Sequence, residues 1–111
     1  MKPKRPDLAD VTLQDAGGGA DHGAVVVTVT NSTNDPAVAP VILESSVPLY
    51  FWMDGKKLSP APSKTVAVQV AIPRVSSKKF TVEWQDPTKE IKFIQLRARF
   101  KTARSNEIEI G

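Results

Sequence analysis

Cysteine is absent from the 111 residues. That excludes a disulfide framework, a thiolate nucleophile and cysteine-ligated zinc, and it leaves cytoplasm, periplasm and secretion equally open. Histidine occurs once, as His22. A multi-histidine metal site is therefore excluded, and a lone histidine among glycines and aspartates reads as a solvated residue. Aromatics make up 6% of the chain, so most of them are needed for the core. No apolar run approaches the roughly 18 residues that span a bilayer. The basic stretch Met1-Lys2-Pro3-Lys4-Arg5-Pro6 lacks the apolar segment of a signal peptide behind it. It reads as a linker, 1–6, that leads into one domain over 7–111. The pattern suits a soluble module of a longer, exported chain. A net charge of +3 is mildly basic, and the basic residues are not concentrated as in a nucleic-acid binder.

What the chain does have is strand signal. Ala24-Val25-Val26-Val27-Thr28-Val29-Thr30 is β-branched almost throughout and is bounded by turn residues. Branching at Cβ restricts χ1 in a helix and suits a pleated strand, with Val25, Val27 and Val29 on one face. Before it, Asp7–Leu13 suggests a first strand broken near Asp10, and Gly17-Gly18-Gly19 suggests a flexible hairpin connection. A phosphate-cradling reading of those glycines fails, because they lead into a strand and lack the lysine such loops use. After it, Ala37–Ser46 reads as a strand that Pro40 assigns to an edge or a bulge, continued by the apolar run Val47–Met53. Asp54-Gly55 marks a hairpin turn. Leu58–Ser63 is a proline-rich crossing, and Thr65–Ile72 and Lys79–Gln85 alternate cleanly. Ile91–Thr102 changes phase after Phe93, which implies a β-bulge with Ile91 and Phe93 inward. Ile108 and Ile110 suit a short closing strand. About seven short strands without helical periodicity predict an all-β, immunoglobulin-like or fibronectin III-like antiparallel β-sandwich.

The candidate sites follow from alternation. Tyr50 and Trp52 share a face, and Trp84 is the other large flat aromatic. Such rings stack on sugars, so the three form a candidate carbohydrate platform. Trp84 nonetheless continues the apolar face of Phe80 and Val82, which favours the core for it. Arg97, Arg99 and Lys101 alternate along the late strand and form a candidate surface for an anionic partner, or else a solvated face that discourages edge pairing. Glu107 and Glu109 point one way and read as a solvated edge, unlike a glycosidase pair that faces across a cleft. No serine, lysine or tyrosine has a recognisable activating partner. The sequence therefore predicts no catalytic residue, no metal and no cofactor. Asn31-Ser32-Thr33 fits the glycosylation pattern, and its plainer reading is a turn.

The strand ending Val27-Thr28-Val29-Thr30-Asn31, the turn Met53-Asp54-Gly55-Lys56-Lys57, and Leu58-Ser59-Pro60 ahead of Thr65-Val66-Ala67-Val68 together resemble a known group. They are similar to the immunoglobulin-like accessory domains of multidomain glycoside hydrolases, in the β-mannosidase and exo-β-glucosaminidase branch of family 2. The likeness covers about residues 25 to 70, and Ser63 stands where those domains have glycine. It implies a non-catalytic binding or spacer module beside a catalytic barrel, whose partners are neighbouring domains and carbohydrate. A second resemblance is to the appendage domains of clathrin adaptors, through a valine-rich strand ending in Asn-Ser-Thr. It implies a protein-interaction module that takes an acidic peptide on Arg97, Arg99 and Lys101 or on a sheet edge.

Overall fold

The computed structural model describes residues 9–19 and 21–111. The expected linker, 1–6, and the opening of the first strand at Asp7 and Leu8 lie outside the described residues. Within them the chain forms nine strands: β1 (Ala9–Gly19), β2 (His22–Asn31), β3 (Ala37–Met53), β4 (Lys56–Lys57), β5 (Ser63–Ile72), β6 (Ser76–Gln85), β7 (Ile94–Phe100), β8 (Ala103–Arg104) and β9 (Ile108–Ile110). Every pairing is antiparallel. One layer runs β1-β2-β6, the other runs β5-β3-β7, and β8 and β9 lie along the far side of β7. This is the all-β, immunoglobulin-like sandwich that the alternation predicts, with short β4 and β8 added. Among the described residues no helix is long and apolar enough to cross a membrane.

The valine run sits at the centre of the first layer, and Val25, Val27 and Val29 are all fully buried. Facing them are Val66, Val68, Val70 and Ile72 of β5 and Leu96, Ala98 and Phe100 of β7, which form one continuous apolar cluster with them. These strands owe their faces to strict two-residue periodicity, which sends alternate side chains to opposite sides of the pleat.

β3 belongs to both layers. Its first half, Ala37–Ser45, lies between β5 and β7, while Tyr50–Trp52 pair with β6. The change of layer follows the register shift between Glu44 and Leu49, since Leu49 still pairs with Ser63 of β5 and Tyr50 pairs with β6, as bends at sandwich corners do. Two serines supply the polar partners there. The Ser45 hydroxyl donates to the Val47 carbonyl, and the Gln95 amide donates to Ser46 Oγ at 3.1 Å. The phase survives the bend, since Val41 and Leu43 before it and Leu49 and Phe51 after it are all buried. Pro40 is accommodated because β7 joins β3 only from Val41 onward, which leaves the strand paired on one side at the proline.

Three expectations need correction. β1 has no break at Asp10, because Ala9 through Asp15 pair without interruption to β2. The glycines form no loose connection: Gly18 pairs with Gly23 and Gly19 with His22, after a register shift between Asp15 and Gly17. Finally, no bulge explains the change of phase after Phe93. The segment 86–93 is not strand, and Phe93 lies half exposed outside the core.

That segment is ordered by Asp86, a fully buried carboxylate. It accepts hydrogen bonds from the amides of Thr88 and Ile91, both at 2.9 Å, and from the Thr88 hydroxyl at 2.8 Å. Burial opposes its ionisation, but the bonds from Ile91 and Thr88 outweigh that and hold the carboxyl below its ordinary pKa.

The two sides of the sandwich differ. On one, the Asn106 side chain in the β8–β9 connection reaches across to the edge strand β1 and bonds to the main chain of Leu13. On the other, β5 is paired only to β3, and β6 has no second partner before Glu83. Their free edges face one another across a cleft.

Candidate functional site

Since odd-numbered residues of β3 point inward, Tyr50 and Trp52 stand on the outer face of the first layer, each half-buried. Pairing with β6 puts Gln85 opposite Tyr50 and Glu83 opposite Trp52, and β2 extends these rows with His22 and Ala24. The Asp54-Gly55 turn, with φ of 55° and 78°, has the two positive values that a tight hairpin requires. It folds β4 back so that Lys57 lies opposite Trp52. The Lys57 ammonium sits 4.3 Å from the Tyr50 ring centre and 5.8 Å from that of Trp52. The two rings are 5.8 Å apart and tilted by 52°. Beside these rows lies a depression of about 230 Å³, lined by His22, Trp52, Glu83, Trp84 and Gln85. An apolar ring edge next to a carboxylate, a carboxamide and an imidazole can hold a ring compound that carries hydroxyl groups.

Trp84 does not stand with the other two aromatics. It points inward, is fully buried, and its indole N–H donates to the Gly19 carbonyl at 3.2 Å. The glycine hairpin is thus the cover of this tryptophan. A Cβ at Gly23 would lie 2.6 Å from Trp84 Cζ2 and 2.8 Å from the Gly17 carbonyl oxygen, so only glycine fits beneath the ring. The structure removes Trp84 from the sequence-derived platform as a stacking surface, and it brings in Glu83, Gln85, Lys57 and His22. Alternation along Lys79–Gln85 already placed Glu83 outward. Its position beside Trp52 depended on a strand pairing that the sequence does not encode locally.

On the second layer, Arg97 and Arg99 stand on the outer face of β7. Each is matched by a carboxylate: Arg97 to Glu107 and Arg99 to Glu44, both at 3.3 Å. Gln95 donates to Glu109 at 3.0 Å. The expected basic stripe is therefore interleaved with acids, and Glu107 and Glu109 are engaged rather than merely solvated. Lys101 leaves the strand, at a φ of 57° in the turn between β7 and β8. Arg104 takes the place opposite Arg99.

Asn31, 1% exposed, is the other buried polar side chain among the described residues. Its amide donates to the carbonyls of Asp35, Ile72 and Pro73, and its Oδ1 accepts from the amide and hydroxyl of Thr33. In the folded domain the nitrogen that a glycan would modify is enclosed and bonded. The described residues contain no group of three His, Cys, Asp or Glu side chains able to hold a metal ion.

No protein-family model and no curated protein matches the chain. Among solved structures it is similar to a FixG-related protein from Vibrio parahaemolyticus, at a TM-score of 0.57 and 11% identity, over 95% of this chain and 93% of that one. It is also similar to BslA, a bacterial hydrophobin, at a TM-score of 0.51 and 16% identity, over 95% of both chains. Likeness at such identities is a likeness of fold alone.

Proposed function

We propose that this domain is a non-catalytic binding module that takes a saccharide on the Tyr50–Trp52 face, as an accessory domain of a larger carbohydrate-active enzyme. The observation that carries the reading is the cross-strand set Tyr50–Gln85 and Trp52–Glu83, two rings on one face with hydrogen-bonding side chains directly beside them. Ring faces pack on the C–H faces of a pyranose, while Glu83, Gln85 and Lys57 serve its hydroxyls. The sequence resemblance to accessory domains of glycoside hydrolases supports the same reading. So does the disposition of the carboxylates: Glu44 and Glu107 are held by arginines, and Asp86 by its own loop.

Titration of the ¹⁵N-labelled domain with β-linked manno- and glucosamine oligosaccharides tests this. The Trp52 indole and the amides of Glu83 and Gln85 are expected to shift while the Trp84 indole stays still. Trp52→Ala is expected to weaken binding by about tenfold or more, as loss of an aromatic anchor does. A Trp52 indole that is silent to every oligosaccharide at millimolar concentration overturns the reading.

A further inference from the structure

We propose that the side of the sandwich between β5 and β6 receives an extended, acidic segment of a partner protein as an added β-strand. This site is separate from the saccharide face and does not depend on it.

The backbone supplies the first observation. β5 pairs with β3 in unbroken register from Thr65 to Ile72, and no second strand pairs with it. That run, Thr-Val-Ala-Val-Gln-Val-Ala-Ile, has no charge, proline or glycine, and it spans about 26 Å. Edges are normally blunted by charges, prolines, bulges or a covering segment. β1, the edge on the other side, is met by Asn106. On β5 the charge of Lys64 lies at one end and Asn31 takes the Ile72 carbonyl at the other. Thr65–Ala71 between them has no such device and presents a row that an incoming strand can pair with.

The second observation is an unfinished core. The cleft between β5 and β6 has a volume of about 450 Å³, and its apolar lining is Met53, Val68, Val70 and Phe80. Phe80 is only half-buried, whereas Val82 and Trp84 on the same strand face are fully buried. Apolar side chains from every second residue of an added strand would complete this layer.

Charge selects the occupant. Lys78 and Lys79 line the cleft, are exposed, and form no ion pair among the described residues, whose ion pairs are Arg97–Glu107 and Arg99–Glu44. Against them the lining holds one carboxylate, Asp54. Lysine stems are long enough to reach past an added strand to acids on its outer side. A second copy of this chain would bring its own uncharged β5 and leave both lysines unmatched. The fitting partner is a segment alternating apolar and acidic residues.

The test uses the labelled domain, a synthetic peptide that alternates valine with glutamate, and its counterpart with lysine for glutamate. The acidic peptide is expected to shift the amides of Thr65–Ile72 and to protect every second one, those pointing away from β3. It is expected to bind about tenfold more weakly when Lys78 and Lys79 are both replaced by Glu. Both lysines are exposed, so the double variant keeps its fold, which circular dichroism checks. Preference for the lysine peptide by that variant completes the charge swap. The proposal is overturned if the acidic peptide leaves β5 unaffected at millimolar concentration, or shifts the Arg97–Arg99 face instead. It is equally overturned if both peptides bind alike, or if β5 signals broaden with protein concentration alone and so reveal self-pairing.

Discussion

Leu13 and Asn106, 93 residues apart, are joined as two strands are joined: the Leu13 amide donates to Asn106 Oδ1 at 2.9 Å, and Asn106 Nδ2 donates to the Leu13 carbonyl at 3.1 Å. The carboxamide acts as a single peptide unit laid against the edge of β1. It ties the first layer to the β8–β9 end of the second where no strand intervenes. Behind it, Ser105 occupies both main-chain groups of Ala98, through its hydroxyl and its amide.

Asn106→Ala is expected to cost about 1–2 kcal/mol, the worth of a pair of hydrogen bonds with a partly buried partner. The Leu13 amide should lose most of its protection in hydrogen exchange, while the valine amides of β2 keep theirs. Equal protection of Leu13 in both proteins would mean that the clasp contributes nothing.

Gly23→Ala forces a methyl group against the Trp84 ring and the Gly17 carbonyl. Denaturant titration followed by tryptophan fluorescence should show a loss of about 1–3 kcal/mol, the usual cost of overpacking. Gly19→Ala is the control. Its Cβ meets only the Asp21 carboxylate oxygen, at 3.4 Å, and stability should change little.

Val75 is exposed and β-branched, yet it sits at a φ of 48°. Left-handed backbone costs such a residue about 1–2 kcal/mol, so Val75→Gly is expected to raise the thermal midpoint despite the extra freedom gained by the unfolded chain. A lower midpoint would show that the turn depends on the valine side chain.

The Asp86 carboxyl has a folded pKa lowered from its ordinary value. A lowered carboxylate pKa contributes stability above the unfolded value, and that contribution is lost as pH falls through the folded one. The loss therefore begins near the ordinary carboxylate value, about 3.9, and continues below it. Over that range the amides of Thr88 and Ile91 should lose protection first. Asp86→Asn should remove this component of the pH dependence, as measured by thermal midpoints between neutral and acid pH.

The parts of the fold legible in the sequence are those with side chains to count. Val25, Val27 and Val29, the β5 valines and the inward Trp84 all follow from a period of two, and the Asp54-Gly55 turn follows from the backbone values those residues tolerate. The glycine hairpin was legible as a hairpin, but its ordered pairing was not, because residues without side chains carry no period; its purpose becomes visible only against Trp84. Phe93 misleads for the opposite reason. Its apolar side chain looks like part of the next strand, although Asp86 holds that segment out of the ladder. Tyr50 and Trp52 were readable as a pair, whereas their neighbours Glu83 and Gln85 arrive from a strand more than thirty residues away. The cleft between β5 and β6 left no local trace, being defined by which strands fail to pair.

β3 crosses from one layer to the other without losing phase, and this bears on how the molecule comes apart. A sandwich whose layers were joined only by loops could melt one layer and keep the other. Here the strand holding Val41 and Leu43 in one layer is the strand holding Phe51 in the other. Pulling β3 out strips the centre of the second layer and takes the buried Phe51 from the first. Unfolding should accordingly be a single cooperative event, with the calorimetric and van't Hoff enthalpies in agreement.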